Sequence, residues 1–283
     1  MKQSILLWFT AFVLTLGIAI YQRTTGPTYP ISGKYIIEGK EYKYKFTRSG
    51  TSSEDCKVLI NIDKKNISGF LFYKRYKTED SFTTVQMSYL NGNLSCYLPK
   101  QPSAGKLQYF VVLNYNNTNI TLPDNKNVVI RFKDDVPLWL LIPHVILMFG
   151  AMLLSTRTGL EYFKKVPKVN KLTIITLGFL IVGGFILGPL VQKYAFGVLW
   201  SGVPYGYDLT DNKMLITFIG WLAAFLMYKK SKNPAKLALI ASILLVIIYL
   251  IPHSVLGSEL DYNKLDKQQK QEKILDTKKT GGR

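Results

Sequence analysis

Leu172–Val191 reads LTIITLGFLIVGGFILGPLV, twenty consecutive residues without a single Asp, Glu, Lys or Arg. A helix rises about 1.5 Å per residue, so such a run matches the roughly 30 Å hydrocarbon thickness of a bilayer. Four further segments share this uncharged character: Ile5–Tyr21, Val136–Ser155, Met214–Tyr228 and Leu237–Pro252. Val136–Ser155 is equally long, while the other three are shorter and need flanking residues or local thinning of the bilayer. Five such segments are hard to bury in a soluble core, so lipid is the expected solvent for much of the chain.

Composition agrees. Hydrophobic residues make up 48% of the 283-residue chain and charged residues only 19%, below the roughly 25% of soluble domains. The apolar residues are concentrated at the N-terminus and in the second half. Lys2 precedes the first segment as in a signal peptide, but Ala19-Ile20-Tyr21-Gln22-Arg23 lacks a small-x-small cleavage pattern, which favours an uncleaved anchor.

Short basic loops stay in the cytoplasm. The loop Thr156–Lys171 carries Arg157, Lys164, Lys165, Lys168 and Lys171 against Glu161, and Lys229, Lys230, Lys232 and Lys236 follow the fourth segment without an acid. Both loops, and the N-terminus, are therefore expected inside. Residues 23–135, the loop Gln192–Lys213 and the C-terminal tail are expected outside. The formal net charge of +18 reflects this bias in part. Elsewhere Lys is dispersed among Asp and Glu rather than gathered on one face, which argues against nucleic acid and leaves anionic headgroups or an acidic partner.

The region from Arg23 to Asp135 reads as strands. Lys34–Glu38, Tyr42–Thr47, Lys57–Ile62, Ser68–Tyr76, Thr83–Leu90, Asn93–Leu98, Lys106–Tyr115 and Asn127–Phe132 are rich in Val, Ile, Tyr, Phe and Thr. Turn-forming clusters separate them, and Asn91-Gly92 between two such runs is a strong hairpin signal. Eight short strands predict an antiparallel β-sandwich. The stretch LPKQPSAGKLQYFVV (Leu98–Val112) resembles a strand–turn–strand of bacterial immunoglobulin-like and fibronectin type III-like modules, although the buried Trp of antibody-type domains is absent. The expected fold class is thus a membrane protein, α plus all-β. Its parts are an N-terminal transmembrane anchor (1–22), an extracytoplasmic Ig/FN3-like sandwich (23–135), a four-helix transmembrane domain (136–256) and a polar extracytoplasmic tail (257–283).

Cys56 and Cys96, the only cysteines, both lie in the sandwich region. Outside the cytoplasm a disulfide is permitted, and a bridge between them is slightly favoured over two buried thiols. The Asn-x-Ser/Thr triplets at Asn66, Asn93, Asn116 and Asn119 are what chance gives in an Asn-rich segment.

His144 and His253, the only histidines, each follow Ile-Pro and fall in the outer half of the membrane. Ionisable groups inside membrane helices mark functional sites by default. Asp208 and Asp211 precede the fourth segment, while Ser254, Glu259 and Asp261 follow His253. His144, Asp208, Asp211 and His253 form a candidate set for a divalent metal, with Glu259 as a base and Ser254 as a weak candidate nucleophile. The competing reading is structural: either Asp caps a helix, and either His bonds to a proline-kinked helix. The loop FGVLWSGVPYGY (Phe196–Tyr207) holds turn-forming Gly and Pro and interfacial aromatics, fitting a re-entrant lid or an interfacial anchor equally. Gly184 and Gly188 give a small-xxx-small face.

PLWLLIPH (Pro137–His144), GVPYGYDLTDNK (Gly202–Lys213) and IPHSVLGSELDY (Ile251–Tyr262) together resemble a family of bacterial multi-pass membrane proteins with no assigned activity. The resemblance spans roughly residues 136–262. It implies the bacterial cytoplasmic (inner) membrane and supplies no reaction. The sequence contains no P-loop, dinucleotide fingerprint, HExxH or GxSxG motif. The favoured expectation is a non-catalytic binding or scaffold component whose external sandwich takes a protein or glycan. The alternatives are a metal-dependent membrane hydrolase and a haem electron carrier with His144 and His253 as axial ligands. A transporter is a weaker alternative, because no inverted repeat is evident.

Overall fold

The computed structural model describes residues 2–124, 126–252, 255, 257 and 259–280. The chain is α+β and divides into two compact units. One comprises Met1–Tyr29 and Asp135–Ser258, the other Pro30–Asp134 and Glu259–Arg283. The N-terminal helix thus shares a unit with the later helices, and the polar tail groups with the strands, where the sequence reading kept each separate.

The strand unit contains β1 (Ile31–Ile37), β2 (Lys40–Phe46), β3 (Ser49–Thr51), β4 (Cys56–Asn61), β5 (Ile67–Arg75), β6 (Thr83–Gln86), β7 (Ser88–Leu90), β8 (Asn93–Leu98), β9 (Lys106–Tyr115), β10 (Thr118–Leu122) and β11 (Val128–Lys133). They form a β1–β2 ribbon, a sheet ordered β3-β11-β9-β5-β6 with β10 also on β9, and a sheet ordered β4-β8-β7. All pairs are antiparallel except β11 with β3.

Alternation of side chains across each strand explains the core. Along β9, Leu107, Tyr109, Val111 and Leu113 are fully buried. They join Phe46 of β2, Val58 and Ile60 of β4, Leu71 of β5, Leu94 and Leu98 of β8 and Ile130 and Phe132 of β11 in one hydrophobic cluster. Three two-residue hairpins fix the register through positive φ, the geometry that matches strand twist. They are Glu38-Gly39 (49° and 75°), Asn91-Gly92 (49° and 78°) and Asn116-Asn117 (47° and 60°).

Two strands, β3 and β10, were not anticipated, and Thr83–Leu90 is not one strand. It breaks at buried Met87, whose N–H bonds the carbonyl of Gly69. β6 then pairs with β5, while β7 pairs with β8 in the other sheet.

The tail joins this unit through specific bonds. Glu259 takes ion pairs from Lys106 (2.5 Å) and Lys77 (3.1 Å), and the Leu260 N–H bonds the Ala104 carbonyl. Tyr262 Oη lies 2.9 Å from Gln101, and Arg75 grips both Asp80 and Asp266. The polar helix α7 (Tyr262–Thr280) begins there.

In the helical unit, α1 (Lys2–Thr25), α2 (Leu138–Gly159), α5 (Leu209–Met227) and α6 (Pro234–Leu250) accompany a continuous segment. That segment consists of α3 (Asn170–Phe179), a π-helical stretch (Leu180–Leu187) and α4 (Gly188–Phe196). Helices fall where all five uncharged segments lie. Among the described residues, four helical segments are long and apolar enough to cross a membrane: Lys2–Thr25, Leu138–Phe163, Asn170–Phe196 and Leu209–Met227. Pro234–Leu250 is apolar but shorter.

Apolar side chains of this unit face outward as well as inward, where Met152, Leu180, Trp221 and Leu245 form part of a buried cluster. Ile5, Phe9, Phe12, Ile146, Ile181, Ile219 and Ile243 are exposed, whereas Ser155, Thr158, Thr176 and Thr217 are buried. Trp221 donates its indole N–H to Ser155 Oγ at 3.1 Å in the interior.

Candidate functional site

The chain leaves α4 at Gly197, whose φ of 78° is the left-handed geometry that ends a helix without a Cβ clash. The following loop is built by side chains at the start of α5. Asp208 is the N-cap, accepting the Thr210 N–H at 2.8 Å. Asp211 is buried, and its Oδ2 accepts the backbone N–H groups of Ser201 (2.7 Å) and Gly202 (3.1 Å) and approaches Ser201 Oγ at 3.3 Å. Asn212 Oδ1 accepts from Val203 N–H, and Gln192 on α4 donates to Ser201 Oγ at 2.5 Å. Trp200 bonds the Val203 carbonyl and stacks on Phe185, with centroids 5.9 Å apart. These bonds hold the loop from two helices, while the rings of Tyr205 and Tyr207 project outward. Buried Lys213 donates to the carbonyls of Ile251 (2.6 Å) and Pro252 (3.1 Å), closing the end of α6.

His144 lies on α2, and its Nδ1–H donates to the Gly183 carbonyl at 2.9 Å in the π-helical stretch. The Gly188 N–H reaches the same oxygen, and Pro189 beyond it has no N–H to offer. Each of His144, Asp208 and Asp211 therefore makes a bond that shapes the backbone. Of these three, Asp208 and Asp211 lie close in the chain, at the N-cap and on the first turn of α5. Glu259 belongs to the strand unit, engaged by Lys106 and Lys77. His253 and Ser254 lie outside the described residues. Among the described residues, no group of three or more His, Cys, Asp or Glu side chains is arranged to hold a metal ion.

A second polar cluster closes the basic end of α2. Arg157 and Glu161 are buried and paired at 2.6 Å. Glu161 also accepts from Lys164 Nζ and from the Lys168 backbone N–H. The Arg157 guanidinium lies 5.3 Å from the Trp8 ring centroid on α1, a cation–π contact. Sequence reasoning used these charges only for orientation. The i,i+4 spacing of Arg157 and Glu161 was the available signal.

The two thiols are unbonded, so the anticipated bridge is not formed. Register supplies the reason. Cys56 lies opposite Leu98, and Cys96 lies opposite Val58. The pair is therefore diagonal, a relation that places residues about 7–8 Å apart, beyond the roughly 4.4–6.8 Å a disulfide spans. Burial raises both thiol pKa values, that of Cys96 to about 12.

The strand unit also displays an aromatic surface. Phe72 and Phe110 occupy opposed positions on β5 and β9 and stack with centroids 4.9 Å apart. Phe82 meets Phe110 edge-on at 5.3 Å, and Lys74 Nζ lies over the Phe82 ring. Gln86 and Val112 both lie opposite Phe70 on the flanking strands.

No family model matches the sequence, and no curated protein matches it.

Proposed function

We propose that the chain is a multi-pass integral membrane protein that acts as a non-catalytic binding or scaffold component. Its strand unit is an Ig/FN3-like β-sandwich that meets a protein or glycan partner outside the cytoplasm. The exposed apolar side chains of the helical unit and its four long apolar helices support the membrane reading. Lysine bias sets the threading, with Lys164 and Lys229 inside and residues 192–213 outside. Pro234–Leu250 makes a fifth span with help from flanking residues.

One observation carries the functional choice: among the described residues, the candidate groups His144, Asp208 and Asp211 are committed to backbone geometry. Asp208 caps α5, Asp211 holds the Ser201 and Gly202 amides, and His144 bonds Gly183. The aromatic surface around Phe72 and Phe110 supports a recognition role, since stacked rings give rigid contact area at low entropic cost.

The test has two arms. Cross-linking of the full-length protein in its native membrane should return a reproducible partner that is lost with Phe72→Lys and Phe110→Lys. Elemental analysis after metal reloading should find well under one equivalent of transition metal. A stoichiometric metal, or an unchanged cross-link profile in the variants, would overturn the assignment.

A further inference from the structure

Beside the aromatic surface, the strand unit carries a second outward face with different chemistry. Alternation along β1, β2, β4 and β8 turns Lys34, Ile36, Glu41, Lys43, Lys45, Lys57, Leu59 and Tyr97 to solvent. β2 lies beside β4, so these residues share one surface. Glu41 is taken by Lys34 at 3.0 Å, and Glu54 and Asp55 lie near Lys57 and Tyr97 at one end of the face. Among the described residues, Lys43, Lys45 and Lys57 make no ion pair. Lys34 stands directly opposite Lys43, an arrangement that disfavours folding because like charges meet across the ladder. A local cost of this kind marks a surface shaped by what it binds. Between the lysines, Ile36, Leu59 and Tyr97 are 66%, 40% and 54% exposed.

We propose that this face docks onto anionic phospholipid headgroups. The lysine ammoniums meet phosphates, while Ile36, Leu59 and the Tyr97 ring enter the boundary between headgroup and acyl chain. Lys43, Lys45 and Lys57, which make no ion pair among the described residues, favour an anionic occupant. Their mixture with exposed apolar side chains requires an amphiphilic one. Lysine is depleted in protein–protein interfaces, so an acidic protein is the poorer match. Residues 26–30 and 134–137 tether the strands to α1 and α2. The inference rests on the membrane reading proposed above.

The experiment uses full-length protein in nanodiscs of phosphatidylcholine alone or mixed with phosphatidylglycerol. Lysines are briefly acylated and quantified one by one by mass spectrometry. Lys43, Lys45 and Lys57 should react about five-fold more slowly in the anionic discs. High salt should restore their reactivity, and Lys126 and Lys133 should stay unchanged. In the K43E/K45E/K57E variant, Lys34 should react equally in both lipids. Equal labelling of the wild type in the two lipids overturns the proposal, and so does equal protection in both. Protection that needs an added acidic protein reassigns the face to a protein partner and overturns the lipid assignment. Failure of the chain to enter discs at all refutes the membrane reading instead.

Discussion

Asp211 is the residue at which the structural and metal-ligand readings part most cleanly. Its Oδ2 receives two backbone amides, from Ser201 at 2.7 Å and Gly202 at 3.1 Å, in a buried setting. Asp211→Ala leaves both amides without an acceptor. Hydrogen bonds to a charged group contribute about 1.5–3 kcal/mol each, so the loss should be about 3–6 kcal/mol. Asp211→Asn keeps an oxygen acceptor but not the charge, and neutral bonds are roughly half as strong. That variant should lose about half as much. In a unit of this size each kcal/mol moves Tm by about 2–4 °C, so the Ala variant should melt at least about 6 °C lower. Thermal unfolding of detergent-solubilised protein, followed by tryptophan fluorescence, reads this directly, because Trp200 sits in the same loop. The structural role also requires that chelator leave the wild-type Tm unmoved. An Ala variant as stable as wild type, or a chelator-sensitive wild type, would refute the reasoning.

Three further outcomes are expected. Hydrogen bonding from Arg75 holds the Asp266 carboxyl below its usual range. For Glu259, burial pushes the pKa up, but bonds from Lys106 and Lys77 outweigh it and the net shift is downward. Depressed carboxylate pKa values add stability above the ordinary value of about 4, and that stability is lost as pH falls through the folded values. Hydrogen-exchange protection factors at Glu259–Asp266 should therefore be high at neutral pH and fall on acidification below that range. Because burial raises both thiols, native protein should alkylate slowly at Cys56 and Cys96 near neutral pH, and both should react promptly once unfolded; mass spectrometry under non-reducing conditions checks this. Tyr109 is fully buried and donates to the Thr47 carbonyl at 2.8 Å, so Tyr109→Phe should lower the stability of the strand unit by about 1–2 kcal/mol in denaturant titration.

Much of the architecture was legible because it depends on local pattern. Uncharged runs located the α-helices α1 to α6 of the helical unit. The two-residue period in Tyr42-Lys43-Tyr44-Lys45-Phe46 separates the inward rings of β2 from its outward lysines. Asn91-Gly92 marked its hairpin because the pair tolerates positive φ. Asn116-Asn117 makes an equivalent turn, but the short polar strand Thr118–Leu122 beyond it offers no apolar run to notice.

Other features belong to tertiary structure alone. β3 is three residues long and exists because it meets β11, some eighty positions away. Met87 divides one apparent strand between two sheets, a choice made by the shared core rather than by propensity. The cysteines share one face of a strand pair, and only the register reveals them as diagonal neighbours.

The candidate site shows the same division. From the sequence came the residue types: two histidines each after Ile-Pro, aspartates ahead of an uncharged segment, and a loop rich in glycine and aromatic side chains. Whether those groups bind a ligand or hold the backbone depends on which donors reach them. For Asp211 the donors are amides nine and ten residues away, and for His144 the partner is a carbonyl on another helix. Solvent preference and secondary structure arise from short-range pattern, and so could be read from the chain. The roles of the polar side chains arise from contacts between distant segments, which only folding brings together.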